Sequence, residues 1–179
     1  MPEIKIDRAE RGDAFEIFQV VQQCRDYLRE WLPWIDGTRS PEDTLSFIAD
    51  NVNKNLFNGR EIYVIRINKK IVGMIDLQNG DKFNNKAEIG YWLAEEHQGK
   101  GIITEACRRI INKVFNDYGI NRMTIKAAVG NLKSRHIPER LGFVMEGVER
   151  SGEFLNGRYV DLVVYSMLKD EWMKKNSNE

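Results

Sequence analysis

The sequence predicts one mixed α/β domain, and three features carry that expectation. Hydrophobic periodicity alternates along the chain between a helix-like and a strand-like repeat. A strand, a glycine-rich loop, a helix and another strand follow one another at the centre. An Asn-Gly pair near the C-terminus joins two strand-like segments into a closing hairpin. At 179 residues, 42% hydrophobic and 30% charged, the chain suits a single globular core spanning residues 1–179, and no repeat, linker or low-complexity stretch divides it.

From the N-terminus, Ile4-Lys5-Ile6 reads as a short strand and Arg11-Gly12-Asp13 as a turn that caps a helix. Phe15, Phe18, Val21 and Leu28 recur at near-helical spacing and form the expected buried face, until EWLPWIDG interrupts it. Ser40-Pro41-Glu42-Asp43 starts the next helix with a capping hydroxyl, a proline preset for the first turn, and acids where the helix dipole favours them. Leu45, Ile48, Val52 and Leu56 are its expected buried stripe. EIYVIRINKKIVGMIDLQ changes to the strand period around an Asn68-Lys69-Lys70 turn, and AEIGYWLAEE is a third strand. After Gln98-Gly99-Lys100-Gly101 comes a helix with Ala106, Ile110, Val114 and Tyr118 on one face, closed by Gly119. RMTIKAAV is a strand, SRHIPERLG a short helix that Pro138 interrupts, and FVMEGVERSGEF with RYVDLVVYSMLK the final hairpin. The terminal KKNSNE reads as frayed.

Composition narrows the function classes. Lys+Arg and Asp+Glu both number 27, so the formal net charge is zero, which argues against a nucleic-acid binder working through bulk basic charge. No apolar run approaches the roughly 20 residues that a membrane span needs. MPEIKIDRAERGD lacks the apolar centre of a signal peptide, so a cytoplasmic location is expected. Cys24 and Cys107 lie far apart in helical-looking segments and read as buried free thiols; with two histidines they give no zinc-ligand spacing, and no metal is expected.

The glycines before the central helix need a reason, because glycine weakens a helix. A Walker loop requires G-x-x-x-x-G-K followed by Ser or Thr, whereas Ala94 stands at the first glycine position and Gly101 follows Lys100. A dinucleotide fingerprint requires a third glycine where Thr104 stands. Two readings remain: a strand-to-helix turn that merely needs glycine, and anion binding by the unpaired amides of a helix N-terminus, which glycines leave approachable.

AEIGYWLAEEHQGKGIITEA, VGNLKSRHIPERLGF and LNGRYVDLVVYSMLK together resemble the GNAT superfamily of N-acetyltransferases, and LREWLPWID resembles the first-helix region of its RimJ/RimL branch, which acetylates ribosomal-protein N-termini. The resemblance spans nearly the whole chain in order and spacing. It implies the GNAT fold: a central mixed, mostly antiparallel sheet with a splayed strand pair, flanked by helices. It also implies acetyl-CoA as co-substrate. The family's Q/R-x-x-G-x-G/A loop places Gln98, Gly99, Lys100, Gly101, Ile102, Ile103 and Thr104 against the coenzyme pyrophosphate, with Ile103 where a small residue is usual. By resemblance the strand Tyr91-Trp92-Leu93-Ala94 holds the pantetheine through its backbone and offers an N–H to the thioester oxygen. Asn131 and Arg135 match coenzyme-contacting positions, although Asn131 also reads as a helix cap and Arg135 as a solvated side chain.

Proton transfer is where the sequence departs from the commonest family form. A tyrosine often stands four residues before the Gly-Phe pair; here that position is Pro138, which has no proton to give. The ribosomal branch often carries a serine earlier in the motif, which makes Ser134 the expected source of the thiolate's proton, directly or through a water that it orders, its plain alternative being a helix-start hydroxyl. Glu88 and Glu153 match the glutamates considered as the base for the attacking amine; either could instead be an exposed or salt-bridged carboxylate. His97 beside the loop reads as a solvated edge residue, and Trp31 and Trp34 as acceptor-groove or core residues. The expected acceptor is a protein N-terminal α-amine such as that of a ribosomal protein, with a small polyamine or aminoglycoside-like amine, or a non-catalytic acyl-CoA-binding module, as alternatives. A homodimer is one open assembly.

Overall fold

The computed structural model describes residues 3–176. One seven-stranded sheet, in the order β1-β2-β3-β4-β5-β7-β6, is built from β1 (Ile4–Arg8), β2 (Glu61–Ile67), β3 (Lys70–Asp81), β4 (Lys86–Leu93), β5 (Arg122–Ala128), β6 (Val144–Leu155) and β7 (Arg158–Leu168). β4 and β5 pair in parallel, and the other neighbouring strands pair antiparallel. Both hairpin turns sit where the letters put them. Asn68 and Lys69 take φ +50° and +69°, and Asn156 and Gly157 +50° and +81°, the left-handed pair that a two-residue loop between twisted strands demands.

Helices cover the two faces unequally. On one face, α4 (Ile102–Asp117) lays Ile103, Ala106, Cys107, Ile110, Val114 and Phe115 against Ile65, Ile75, Leu77, Ile89, Met123 and Ile125, with α5 (Leu132–Leu141) and α6 (Lys169–Asn176) beside it. On the other face, α1 (Ala14–Gln23), α2 (Arg25–Arg29) and α3 (Pro41–Asn51) cover the β2–β4 half, packing Ile17, Val21, Leu28, Ile35 and Ile48 on Ile62, Val64, Met74 and Trp92. β2 lies under helices on both sides, which is why EIYVIRI is apolar almost without alternation.

Four expectations are corrected. Phe15 is 60% exposed, and α1 turns Ala14 and Ile17 inward in place of Phe15 and Phe18, while Val21 and, on α2, Leu28 are buried as expected. Leu45 is likewise exposed, Thr44 and Ile48 forming the buried side of α3, and Leu56 is buried beyond the end of that helix. Pro138 does not interrupt its helix; α5 runs continuously through it. Lys174–Asn176 are helical rather than frayed, and the rest of that tail lies outside the described residues.

The reason for the last correction is Trp172. Its indole is buried against Phe115, ring centroids 6.3 Å apart, and its Nε1–H donates to Asn112 Oδ1 at 2.6 Å, which docks α6 on α4. Trp172→Phe keeps most of the apolar contact but strands the Asn112 oxygen, so chemical denaturation should read a loss of about 1–2 kcal/mol.

Candidate active site

The site begins where β4 and β5 part. Their parallel pairing covers Lys86–Glu88 against Arg122–Thr124, and among the described residues no β4–β5 pairing continues beyond it. Ala94 N–H donates to Val72 C=O at 2.8 Å, which fixes the phase of β4. In an antiparallel ladder alternate residues bond to the same neighbour, so Gly90, Trp92 and Ala94 direct their backbone groups to β3. The N–H and C=O of Ile89, Tyr91 and Leu93 therefore face the gap. Of the predicted backbone contacts, Leu93 is turned into the opening, whereas the amides of Trp92 and Ala94 are committed to the sheet.

The glycine loop closes one end of this gap. Gly99 and Gly101 take φ +72° and +74°, a region costly for any residue with a Cβ, so the turn itself requires them. Glu105 N–H is the first to bond back within α4, to Gly101 C=O at 3.0 Å, which leaves the amides of Ile102, Ile103 and Thr104 directed out of the helix end. Ile102 and Ile103 bury their side chains in the core at 1% and 8% exposure. The bulk of Ile103 therefore points away from the loop surface. Thr104 Oγ1 is buried without a hydrogen-bond partner among the described residues. Gln98 Nε2 reaches Leu93 C=O at 3.4 Å and its Oε1 accepts from Lys133 Nζ at 3.1 Å, so Gln98 ties the loop to β4 and α5. Lys100 Nζ donates to Glu96 C=O at 2.8 Å. His97, on the short helical turn before the loop, pairs with Glu96 at 3.1 Å.

α5 forms the opposite wall. Asn131 caps it, its Oδ1 accepting from Ser134 N–H at 3.1 Å. The Ser134 hydroxyl is therefore not the cap; it donates to the Tyr91 hydroxyl at 3.4 Å across the gap. Tyr91 O–H in turn donates to Ser134 C=O at 2.9 Å. Burial, above all, pushes the Tyr91 phenol well above its ordinary range, so it keeps its proton. Arg135 is held inward, Nε donating to the Tyr165 hydroxyl at 3.1 Å and Nη1 to Val129 C=O at 3.0 Å.

Period-two alternation puts Glu88 on the other face of β4 from Tyr91, with Gly90 and Trp92. Gln78 Nε2 and Asn79 Nδ2 donate to its two oxygens at 3.3 and 3.2 Å. Asp76, a carboxylate inside the apolar run IVGMIDL, lies beside it: a Cβ on Gly90 would stand 2.6 Å from Asp76 Oδ1. Burial first, and the charge of Glu88 in addition, hold the Asp76 carboxyl above its usual range against the opposing pull of Arg60 at 3.0 Å. Glu153 on β6 is raised by the same two causes, burial and the charge of Glu88. Lys126, paired with Glu149 at 2.8 Å, faces the same group. Trp34 packs on Trp92 with centroids 6.4 Å apart, and Trp31 reaches toward Gly130 at the head of α5, so the EWLPWIDG segment lies over the gap. Beside it, a groove of about 260 Å³ opens between Arg29, Leu32, Pro33 and Asp36 and the β6–β7 tip at Phe154 and Asn156.

The structure thus gathers Glu88 and Glu153 on one face of β4 and Ser134 with the loop amides on the other. Sequence reasoning missed Asp76, whose signal was a charge in the middle of an otherwise apolar strand, and the Tyr91 side chain, whose signal was a proline inside α5.

Comparison with known proteins gives the family. The acetyltransferase (GNAT) domain family matches residues 4–144. The chain is 42% identical over 171 residues to YdaF of Bacillus subtilis (strain 168), a provisionally named ribosomal N-acetyltransferase, covering 94% of this chain and 93% of that one. It is 32% identical to the ribosomal-protein-serine acetyltransferase of Escherichia coli (strain K12), covering 86% of each. Among solved structures, RimL, the ribosomal L7/L12 alpha-N-protein acetyltransferase in complex with coenzyme A, superposes with a TM-score of 0.89 at 26% identity, over 94% of this chain and 95% of that one. With its splayed parallel pair, its glycine-opened helix N-terminus and a family match across most of its length, the chain belongs to the GNAT acetyltransferases and is an acyltransferase.

Proposed function

We propose that this chain transfers the acetyl group of acetyl-CoA to a protein N-terminal α-amine, such as that of a ribosomal protein. The observation that carries the reading is the division of labour across β4: helix-end amides and the Ser134 hydroxyl on one face, carboxylates on the other, and between them strand backbone that faces away from β3 beyond its pairing with β5. The coenzyme lies along the first face, its pyrophosphate on the amides of Gly99 to Thr104 and its pantetheine on the gap-facing backbone of Tyr91 and Leu93. An N–H of that strand is placed to stabilise the thioester oxygen as it turns negative. The amine enters from the second face. An α-amine has a pKa of about 7.7–8.0, so a neutral fraction attacks at physiological pH and a carboxylate takes up the proton it sheds. The leaving thiolate receives a proton from Ser134. The groove beside Trp34 offers room for the residues that follow an N-terminus, and the relatives named for ribosomal-protein acetylation support that acceptor class.

The test is an acceptor panel followed by thiol release: N-terminal peptides, polyamines, aminoglycosides and lysine side chains. Preference for the N-terminal peptides supports the proposal, and preference for polyamines refers Asp76, Glu88 and Glu153 to a polycation subsite.

Glu153 suits the base because its carboxyl is held above the ordinary range. Glu153→Gln should lower kcat/KM about 10-fold or more near pH 7. Stability moves the other way. A raised carboxyl pKa means the folded state binds the proton more tightly than the unfolded chain, so stability falls as pH rises through the carboxylate range. The Gln variant is then at least as heat-stable as wild type at pH 7, and any advantage fades by pH 4. Slower turnover with undiminished Tm identifies the base; unchanged turnover leaves that role to Glu88.

A further inference from the structure

Pro138 stands inside α5, where a proline has no amide to offer the carbonyl four residues earlier, and its ring pushes that carbonyl off the helix axis. The carbonyl concerned is that of Ser134. It is the group that Tyr91 O–H engages, at 2.9 Å, while the hydroxyl of the same serine donates to the same phenol oxygen at 3.4 Å. One tyrosine on β4 therefore holds the backbone and the side chain of one residue on α5, across the gap where the two strands part. A purely structural patch for an orphaned carbonyl would need only the first of these contacts.

We propose that Tyr91 is a positioning residue for Ser134, and that Pro138 makes this possible by turning the Ser134 carbonyl out to meet it. The proposal rests on Ser134 being the proton donor of the reaction. Tyr91 fixes α5 against β4 through the carbonyl and sets the rotamer of the serine through the hydroxyl, so that Oγ faces the gap rather than the helix backbone. A serine with a free rotamer in the first turn of a helix would turn instead to nearby backbone groups. The proline standing where a tyrosine is common in the family thus has a use: the phenol is supplied by β4, and the serine it orients carries the proton. When the thiolate leaves, the Ser134 O–H turns from the phenol oxygen to the sulfur and passes its proton there as Oγ takes one from solvent, while the proton that the amine gave to the carboxylate returns to solvent, so no alkoxide is left and the charges balance. Tyr91 keeps its own proton throughout.

The test is a set of kinetic cycles on the full chain with Tyr91→Phe, Ser134→Ala, Pro138→Ala and the corresponding doubles. Tyr91→Phe should reduce kcat about 10- to 100-fold, the scale of a misplaced reacting group, with the KM for acetyl-CoA unchanged. In a Ser134→Ala background the same change should move kcat by less than about twofold, because neighbours acting through one group are not additive. Pro138→Ala returns an amide to the helix and draws the carbonyl back; it should raise Tm while lowering kcat, and lose its kinetic effect once Tyr91 is Phe. Tyr91→Phe at wild-type kcat, or an effect that multiplies with that of Ser134→Ala, overturns the proposal. Pro138→Ala without a kinetic effect overturns the proline's part. Ser134→Ala at wild-type rate removes the premise, and if Tyr91→Phe is then slow, the phenol itself is the donor and the positioning role is overturned.

Discussion

Gly101→Val will weaken coenzyme A binding at least about tenfold, or roughly 1.4 kcal/mol, in a protein that still folds. The effect does not come from an internal clash, because a Cβ at Gly101 meets nothing within 4 Å. It comes from the backbone. At φ +74° a β-branched residue is strained by about 1–2 kcal/mol, and the loop relieves that strain by rotating the very peptides that aim at an anion. The added side chain also occupies the open space over the helix end. Gly119→Ala is the control, since Gly119 takes φ +67° just beyond the C-terminal end of α4, far along the chain from the loop. It should lose comparable stability and bind coenzyme A normally. Calorimetry on both folded variants decides the matter; if Gly101→Val keeps wild-type affinity, the glycines serve the turn alone.

Much of this fold was legible in the letters because local chemistry and tertiary packing agree. The Asn-Gly and Asn-Lys turns, the Ser40 helix start and the apolar runs of β2 and β3 each have a local physical cause that the fold then uses. The failures share a cause as well. Phe15 and Leu45 are apolar letters at helical spacing, but which side of a helix is buried depends on what it packs against, and α1 and α3 lean on a sheet that composition cannot orient. Trp172 lies past the last recognisable hairpin, and its burial depends on Phe115 and Asn112, 57 and 60 positions earlier. Pro138 reads locally as a breaker; α5 runs through it, and the carbonyl it frees accepts from the Tyr91 O–H on β4. The candidate site divides the same way. The loop was legible because helix N-termini and glycines have intrinsic properties, whereas the carboxylate group is assembled from β3, β4 and β6 and depends on register. Asp76 sits opposite Gly90 only because β3 and β4 pair as they do.

Ser134→Ala should reduce kcat by about 10- to 1000-fold, within or somewhat below the range for loss of a proton donor in the transition state. The KM for acetyl-CoA should barely move, because the loop amides and the β4 backbone are untouched. Stability should barely move either, and the structure gives the reason. The residue's contribution to the helix start is its backbone N–H, which donates to Asn131 Oδ1 at 3.1 Å and remains in alanine. The hydroxyl makes a long contact of 3.4 Å to Tyr91, whose own proton already has a partner in the Ser134 carbonyl. Alanine also has the higher helix propensity, which offsets a small loss. A thiol has a pKa near 8.5, so a thiolate can leave without prior protonation and the variant keeps a residual rate. Steady-state kinetics with thermal melts separates the two roles of the serine. A large kcat loss at constant Tm assigns it to proton transfer. A lower Tm with a small kcat loss assigns it to the helix start, and a variant as fast as wild type leaves water as the source of the proton.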